Sequence, residues 1–175
     1  LFNALNNLLS MIDQQKQPAL ASSFMQLSKM LRYVVEGSDN ESTMIQAEID
    51  FIKSYCDLQK LRFESEEIDL QFNASGPYLE QEVEAGIFLP FVENAFKYGC
   101  KAERQSTIKI NFDLSRKDQI QFSIENENLS RTKDHGSGKG IQNSVKRLDI
   151  LYPEAYQLQI DRGDPFYVDL KIFGS

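Results

Sequence analysis

Near residue 66 the hydrophobic period of this chain changes from a helical repeat of three to four residues to the strand repeat of two. That switch predicts helices first and a strand-rich part after them. Leu1, Leu5, Leu8, Leu9 and Ile12 share one helical stripe over residues 1–15, and Pro18 breaks it. Leu20, Phe24, Leu27, Leu31 and Val34 form a second stripe, ended by the turn cluster from Gly37 to Asn40. A third helix is predicted from about Thr43, which stands at capping-box spacing from Gln46. Ile45, Ile49, Ile52 and Cys56 make one face of it, and Phe51, Tyr55 and Leu58 make another. A bundle this small cannot hide so much apolar surface. The helices must pack on a partner chain or on the second, strand-rich part.

Beyond residue 66, Ile68, Leu70 and Phe72 alternate until Ser75, Gly76 and Pro77 stop the strand. A helix is predicted from about Leu79 to Tyr98, with Gly99 as its cap. Pro90 inside that span either kinks the helix or marks a fresh start. Ile108, Ile110, Phe112 and Leu114 pair with Ile120, Phe122 and Ile124 as a hairpin around Arg116–Asp118. Residues 126–137 are polar and without period, a loop. A helix from Lys139 turns Ile141, Val145, Leu148 and Leu151 inward. Tyr156, Leu158 and Ile160 then pair with Phe166, Val168, Leu170 and Ile172 around Gly163–Pro165. The fold class is α+β: an N-terminal helical segment (1–63), then a two-layer sandwich (64–175) whose mixed, mostly antiparallel sheet is covered on one side.

Composition narrows the chemistry. One histidine, His135, and two cysteines, Cys56 and Cys100, cannot supply a zinc set of His and Cys, and a Ser or Cys triad is open only with His135 as base. A disulfide framework is excluded, and the cysteine usage fits a reducing compartment. The longest apolar run, Gly86 to Val92, is far shorter than the roughly 20 residues a membrane span needs. The first residues lack the basic region of a signal peptide, and no Met starts them, so a piece of a longer protein is expected. A net charge of −7 argues against nucleic acid as a partner. Against that acidic background, Arg131, Lys133, Lys139, Lys146 and Arg147 form a basic island, read either as a solvated face or as a seat for an anion.

Two segments can carry chemistry. In Phe91–Gly99, the polar Glu93, Asn94 and Lys97 fall on or near one helical face. An Asn94 amide oxygen suits Mg²⁺, and Lys97 can meet a phosphate as a point charge. An amphipathic helix with its polar face in water has the same pattern. In Asp134–Asn143, the glycines Gly136, Gly138 and Gly140 precede a helix, where backbone amides can approach an anion. The spacing is neither a Walker A loop, since Gly140 follows Lys139, nor a dinucleotide fingerprint, since Ile141 stands where the third glycine belongs. A plain linker would look similar.

The order of these parts resembles one family. An Asn-bearing helix, a hairpin, a glycine loop and a helix opening Ile141–Leu148 occur together in the sensor histidine kinases of the LytS/YehU-like group, within the superfamily of gyrase and MutL. Phe91–Gly99 looks like its N-box, Gly138–Gly140 with Asn143, Arg147 and Leu148 like its second glycine box, and Leu1–Asn6 like the run following the phosphoacceptor histidine. Leu27–Tyr33 and Tyr55–Phe63 look like its dimerisation and connecting helices.

The resemblance implies a Bergerat-type ATP-binding fold with ATP and Mg²⁺ as cofactors, a homodimer and a response regulator as partners. It implies a place on the cytoplasmic side of the inner membrane, with membrane contact only through segments outside this sequence. It assigns Asn94 to the metal, Lys97 to phosphate, and Gly138, Lys139, Gly140 and Asn143 to the nucleotide. Glu93 is either catalytic or structural. Asn126 stands where the family usually has the aspartate that meets the adenine amino group, and an amide oxygen can accept that bond. The phosphoacceptor would lie two residues before Leu1, so residues 1–175 alone are expected not to autophosphorylate; His135, in the lid candidate, is not its substitute. Rival readings are a nucleotide-independent dimeric regulator and an ATPase with Glu93 as base.

Overall fold

The computed structural model describes Ile12 and residues 16–37, 42–63, 67–101, 104–129 and 139–174. The stripe predicted over residues 1–15 lies almost wholly outside the described residues, as do His135 and Gly138. In chain order the elements are α1 (Pro18–Gly37), β1 (Ser42–Met44), α2 (Ile45–Lys60), β2 (Ile68–Ser75), β3 (Glu82–Glu84), α3 (Leu89–Gly99), β4 (Ser106–Arg116), β5 (Gln119–Asn126), α4 (Lys139–Leu151), β6 (Tyr156–Asp161) and β7 (Phe166–Phe173). Five strands form one sheet in the order β2-β4-β5-β7-β6. β2 joins β4 parallel and the other three pairs are antiparallel, so the sheet is mixed and mostly antiparallel, as the strand pattern predicts.

The strand period places the core. Ile108, Ile110, Phe112 and Leu114 of β4, Phe122 and Ile124 of β5, and Val168 and Leu170 of β7 are buried on one face. Register stacks them in rows: Phe112 faces Phe122, which faces Leu170. Phe88, at the entry to α3, meets Phe112 edge-on at 5.2 Å and lies 4.9 Å from Phe122, and Phe91 stands 6.1 Å from Phe122. These aromatic contacts weld α3 to the sheet centre. The surface of α2 that a small bundle could not hide is buried here: Ile45, Ile49, Ile52 and Cys56 enter the same core as the sheet. α1 packs on α2, with Tyr33 stacked on Phe51 at 4.4 Å between ring centroids.

The structure corrects three local expectations. The helix predicted over 79–98 is two elements: β3 pairs antiparallel with β1, Gly86 turns the chain at φ 71°, and the helix begins only at Leu89. Val83, Ile87 and Phe91 are spaced by four and all buried, which imitates a helical stripe. Pro90 sits in the first turn of α3, where its missing N–H is no loss, so it marks the fresh start. The Thr43–Gln46 capping box does not form. Thr43 belongs to β1, α2 starts at Ile45, and the Ile45 N–H donates to the Gln81 carbonyl at 2.8 Å instead. On α4 the inward stripe runs through Ile141, Val145 and Leu148 to Tyr152, while Leu151 is exposed.

Candidate functional site

Within a turn of Pro90, burial has fixed which side chains α3 shows. Phe91, Val92, Ala95, Phe96 and Gly99 are buried, which leaves Asn94 half-buried and Glu93 and Lys97 in solvent. A helix turns about 100° per residue, so Lys97 stands about 40° round from Glu93 and about 60° from Asn94, between the two. Glu93 and Lys97 line a groove of about 610 Å³ between α3 and the end of α2, shared with Tyr55, Arg62 and Lys101; Asn94 is not among its lining residues. Burial first, then the Glu93 charge, pushes the Tyr55 hydroxyl up to about 12. Burial also pushes the thiols of Cys56 and Cys100 up to about 12 and about 11, so neither offers a thiolate nucleophile near neutral pH. Lys97 Nζ lies 5.0 Å from the Tyr98 ring centroid.

Asn126 ends β5 in phase with Ile120, Phe122 and Ile124, so the period of two carries a polar side chain onto the buried face. It is 2% exposed. Its Nδ2 donates to the Glu127 carbonyl at 2.7 Å, which fixes the direction of the amide. Its Oδ1 is buried and accepts no hydrogen bond among the described residues. A buried acceptor left unmet costs about 1–3 kcal/mol, so this atom calls for a donor from elsewhere. Asn126 also packs against Gly99: a Cβ on Gly99 would stand 2.5 Å from Asn126 Nδ2. Gly99 is therefore the last residue of α3 for reasons of contact, and Cys100, in extended conformation, takes the cap position. The Leu129 N–H donates to the Tyr98 carbonyl at 3.2 Å, holding the segment after β5 to the end of α3.

The remaining predicted residues sit at or near the start of α4. Asn143 is exposed, and Lys139 opens the helix. A Cβ on Gly140 would meet nothing within 4 Å among the described residues, so none of them demands a glycine there. A close ligand would be a reason for one. Arg147, which the motif reading puts beside the glycine box, holds the turn before α3. Its Nη2 donates to Glu84 Oε1 at 2.7 Å and to the Ala85 carbonyl at 2.8 Å. Among the described residues no cluster of His, Cys, Asp or Glu could hold a metal ion, so a cation at Asn94 would need oxygens from the ligand as well.

The residues fit a nucleotide with Mg²⁺ in two respects. Asn126 Oδ1 suits the amino group of adenine, and Asn94 offers an amide oxygen. Sequence reasoning misses Glu48, which is fully buried. A signal is present, since Glu48 falls three residues after Ile45 and four before Ile52, on the apolar stripe of α2.

Residues 1–67 match the family model described as histidine kinase. The sensor histidine kinase BtsS of Escherichia coli (strain K12) is 29% identical over 165 residues, covering 91% of this chain and 28% of that protein. The sensor histidine kinase YpdA of the same strain is 29% identical over 183 residues, covering 94% of this chain and 30% of that protein. The chain thus spans under a third of the length of these relatives. Among solved structures, the histidine kinase domain of the blue-light activated kinase EL346 from Erythrobacter litoralis superposes with a TM-score of 0.56 at 11% identity, covering 98% of this chain and 93% of that one. In sequence this chain is similar to the sensor histidine kinases, and its α/β part has the fold of their catalytic domains.

Proposed function

We propose that this chain is the kinase core of a two-component sensor histidine kinase, which binds Mg-ATP and passes the γ-phosphoryl group to a histidine in the segment preceding Leu1. The observation that carries the reading is the buried Oδ1 of Asn126, unpartnered among the described residues, on a side chain that packs against Gly99 at the C-terminal end of α3. A family aspartate would offer an oxygen to adenine there, and here the amide offers one. Asn94 supplies an oxygen ligand for Mg²⁺, and Lys97 a charge for phosphate. Lys139, Gly140 and Asn143, at the positive end of α4, would serve the phosphates, and the motif assigns Gly138 to them as well. When bound, Mg²⁺ would neutralise part of the charge that spreads over the transferred group.

Glu93 lies in the groove with Lys97 rather than beside Asn94, which favours a structural or electrostatic part over that of a hydrolytic base. In this reading residues 1–63 form the dimerisation and phosphotransfer segment and 64–175 the ATP-binding domain. A response regulator receives the phosphoryl group, and the core works on the cytoplasmic side of a membrane that other segments of the protein engage. Among the described residues, no helix is long and apolar enough to cross one. The test is titration with a non-hydrolysable ATP analogue. Binding should tighten with Mg²⁺, and Asn94→Ala should abolish that gain; no binding at millimolar nucleotide would sink the proposal.

A further inference from the structure

Glu48 is a carboxylate with no exposure to solvent, placed where three elements meet. Its Oε2 accepts hydrogen bonds from the Tyr33 hydroxyl of α1 and from the Gly86 N–H, at 3.0 Å, in the turn leading into α3. Helix α3 lacks a side-chain cap of its own, since Phe88 stands at the cap position. The amides of Gly86 and Phe88 both favour the charged form of Glu48, against the burial that raises its pKa. A carboxylate from α2 thus does for α3 what a local cap would do. The other side of the same turn is held from α4. Arg147 grips Glu84 and the Ala85 carbonyl, and the Glu84 N–H donates to Tyr152 Oη at 2.8 Å.

A buried carboxylate is expensive, and an apolar residue would suit plain stability better. What the carboxylate adds is direction: one oxygen ties α1 to the entry of α3. We infer that Tyr33 and Glu48 are positioning residues, a joint through which the placement of α1 sets the start of α3 and with it the placement of Asn94. The part that concerns nucleotide rests on the function proposed above; the mechanical part does not.

The geometry separates this joint from mere packing of α1. The Tyr33 ring stacks on Phe51, so Tyr33→Phe keeps the stacking and removes only the hydroxyl. A second polar contact between α1 and α2, Gln26 Nε2 to Asp57 Oδ2 at 3.4 Å, lies away from Glu48 and serves as the control.

Amide hydrogen exchange on the whole chain reads the mechanical part. Tyr33→Phe should speed exchange at residues 84–92 about tenfold, the size expected for one lost hydrogen bond to a carboxylate. Gln26→Ala should leave residues 84–92 unchanged. Acceleration confined to α1 and α2, or equal acceleration of 84–92 in both variants, would overturn the joint. Titration with the ATP analogue and Mg²⁺ reads the rest. Tyr33→Phe should weaken binding roughly three- to tenfold and Gln26→Ala should not, within the usual size of coupling between sites. Equal affinity of Tyr33→Phe and wild type would overturn the link to Asn94. If the wild type binds no nucleotide, the proposed function fails while the exchange result still decides the joint.

Discussion

Gly99→Ala is the sharpest small perturbation the structure offers. The added methyl would stand 2.5 Å from Asn126 Nδ2, 2.7 Å from its Cβ and 2.8 Å from its Cγ. Each distance is shorter than real methyl contacts allow, so something must move. Neither partner yields easily: Gly99 closes a helix packed on the sheet, and Asn126 is buried in β5 with its amide tied to Glu127. Overpacking of this kind costs about 1–3 kcal/mol. Alanine recovers about 1 kcal/mol over glycine in helix propensity, so the net loss should be about 0–2 kcal/mol. In a chain of this size that is a fall of up to about 8 °C in Tm. A double-mutant cycle by urea denaturation removes the ambiguity. Asn126→Ala takes away Nδ2 and Cγ but leaves the Cβ at 2.7 Å, so it should relieve the clash only in part. Asn126→Gly should relieve it fully, with a coupling of at least about 1 kcal/mol to Gly99→Ala. Additivity within about 0.5 kcal/mol, or a Gly99→Ala protein more stable than wild type, would refute the reasoning.

Two further outcomes concern the turn before α3. Burial raises the Glu48 pKa above 4.5, so between that value and its folded pKa the folded state keeps a proton the unfolded chain has released. The stability of wild type relative to Glu48→Gln should therefore fall as pH rises through that window, by up to about 1.4 kcal/mol per unit, and be flat on either side; a rise, in urea titrations at stepped pH, would contradict the burial argument. Arg147→Met keeps the aliphatic stem but loses the bonds to Glu84 and Ala85, and should cost about 2 kcal/mol in the same assay.

Much of the fold is legible in the sequence because one physical signal dominates each strand. Ile108 to Leu114, Ile120 to Ile124 and Phe166 to Ile172 alternate without interruption, and the sheet follows them. The signal fails where tertiary contact overrides it. Val83 and Ile87 are buried by β1 and the core, not by a helix, and their spacing of four carries no mark of that difference. Asn94, Lys97 and Asn126 stand out through motif order. Their grouping is not legible: Glu93 and Lys97 line one groove, and Asn94 is not among the residues that line it. Nor can the contact of Gly99 with Asn126 be read from residues so far apart in the chain. Glu48 escapes notice because an acid on an apolar stripe looks like a boundary error until its partners, Tyr33 and Gly86, are in view.

Base discrimination measures most directly whether Asn126 Oδ1 receives the amino group of adenine. Analogues of ATP and of inosine triphosphate differ there by an amino group against a carbonyl. The Glu127 carbonyl holds the Asn126 amide with its oxygen inward, so the inosine carbonyl would face another acceptor. Calorimetric titration with Mg²⁺ should show the ATP analogue binding about 10- to 100-fold more tightly, with the preference lost in Asn126→Leu. Equal affinity for the two analogues, or a preference that survives in Asn126→Leu, would contradict the site.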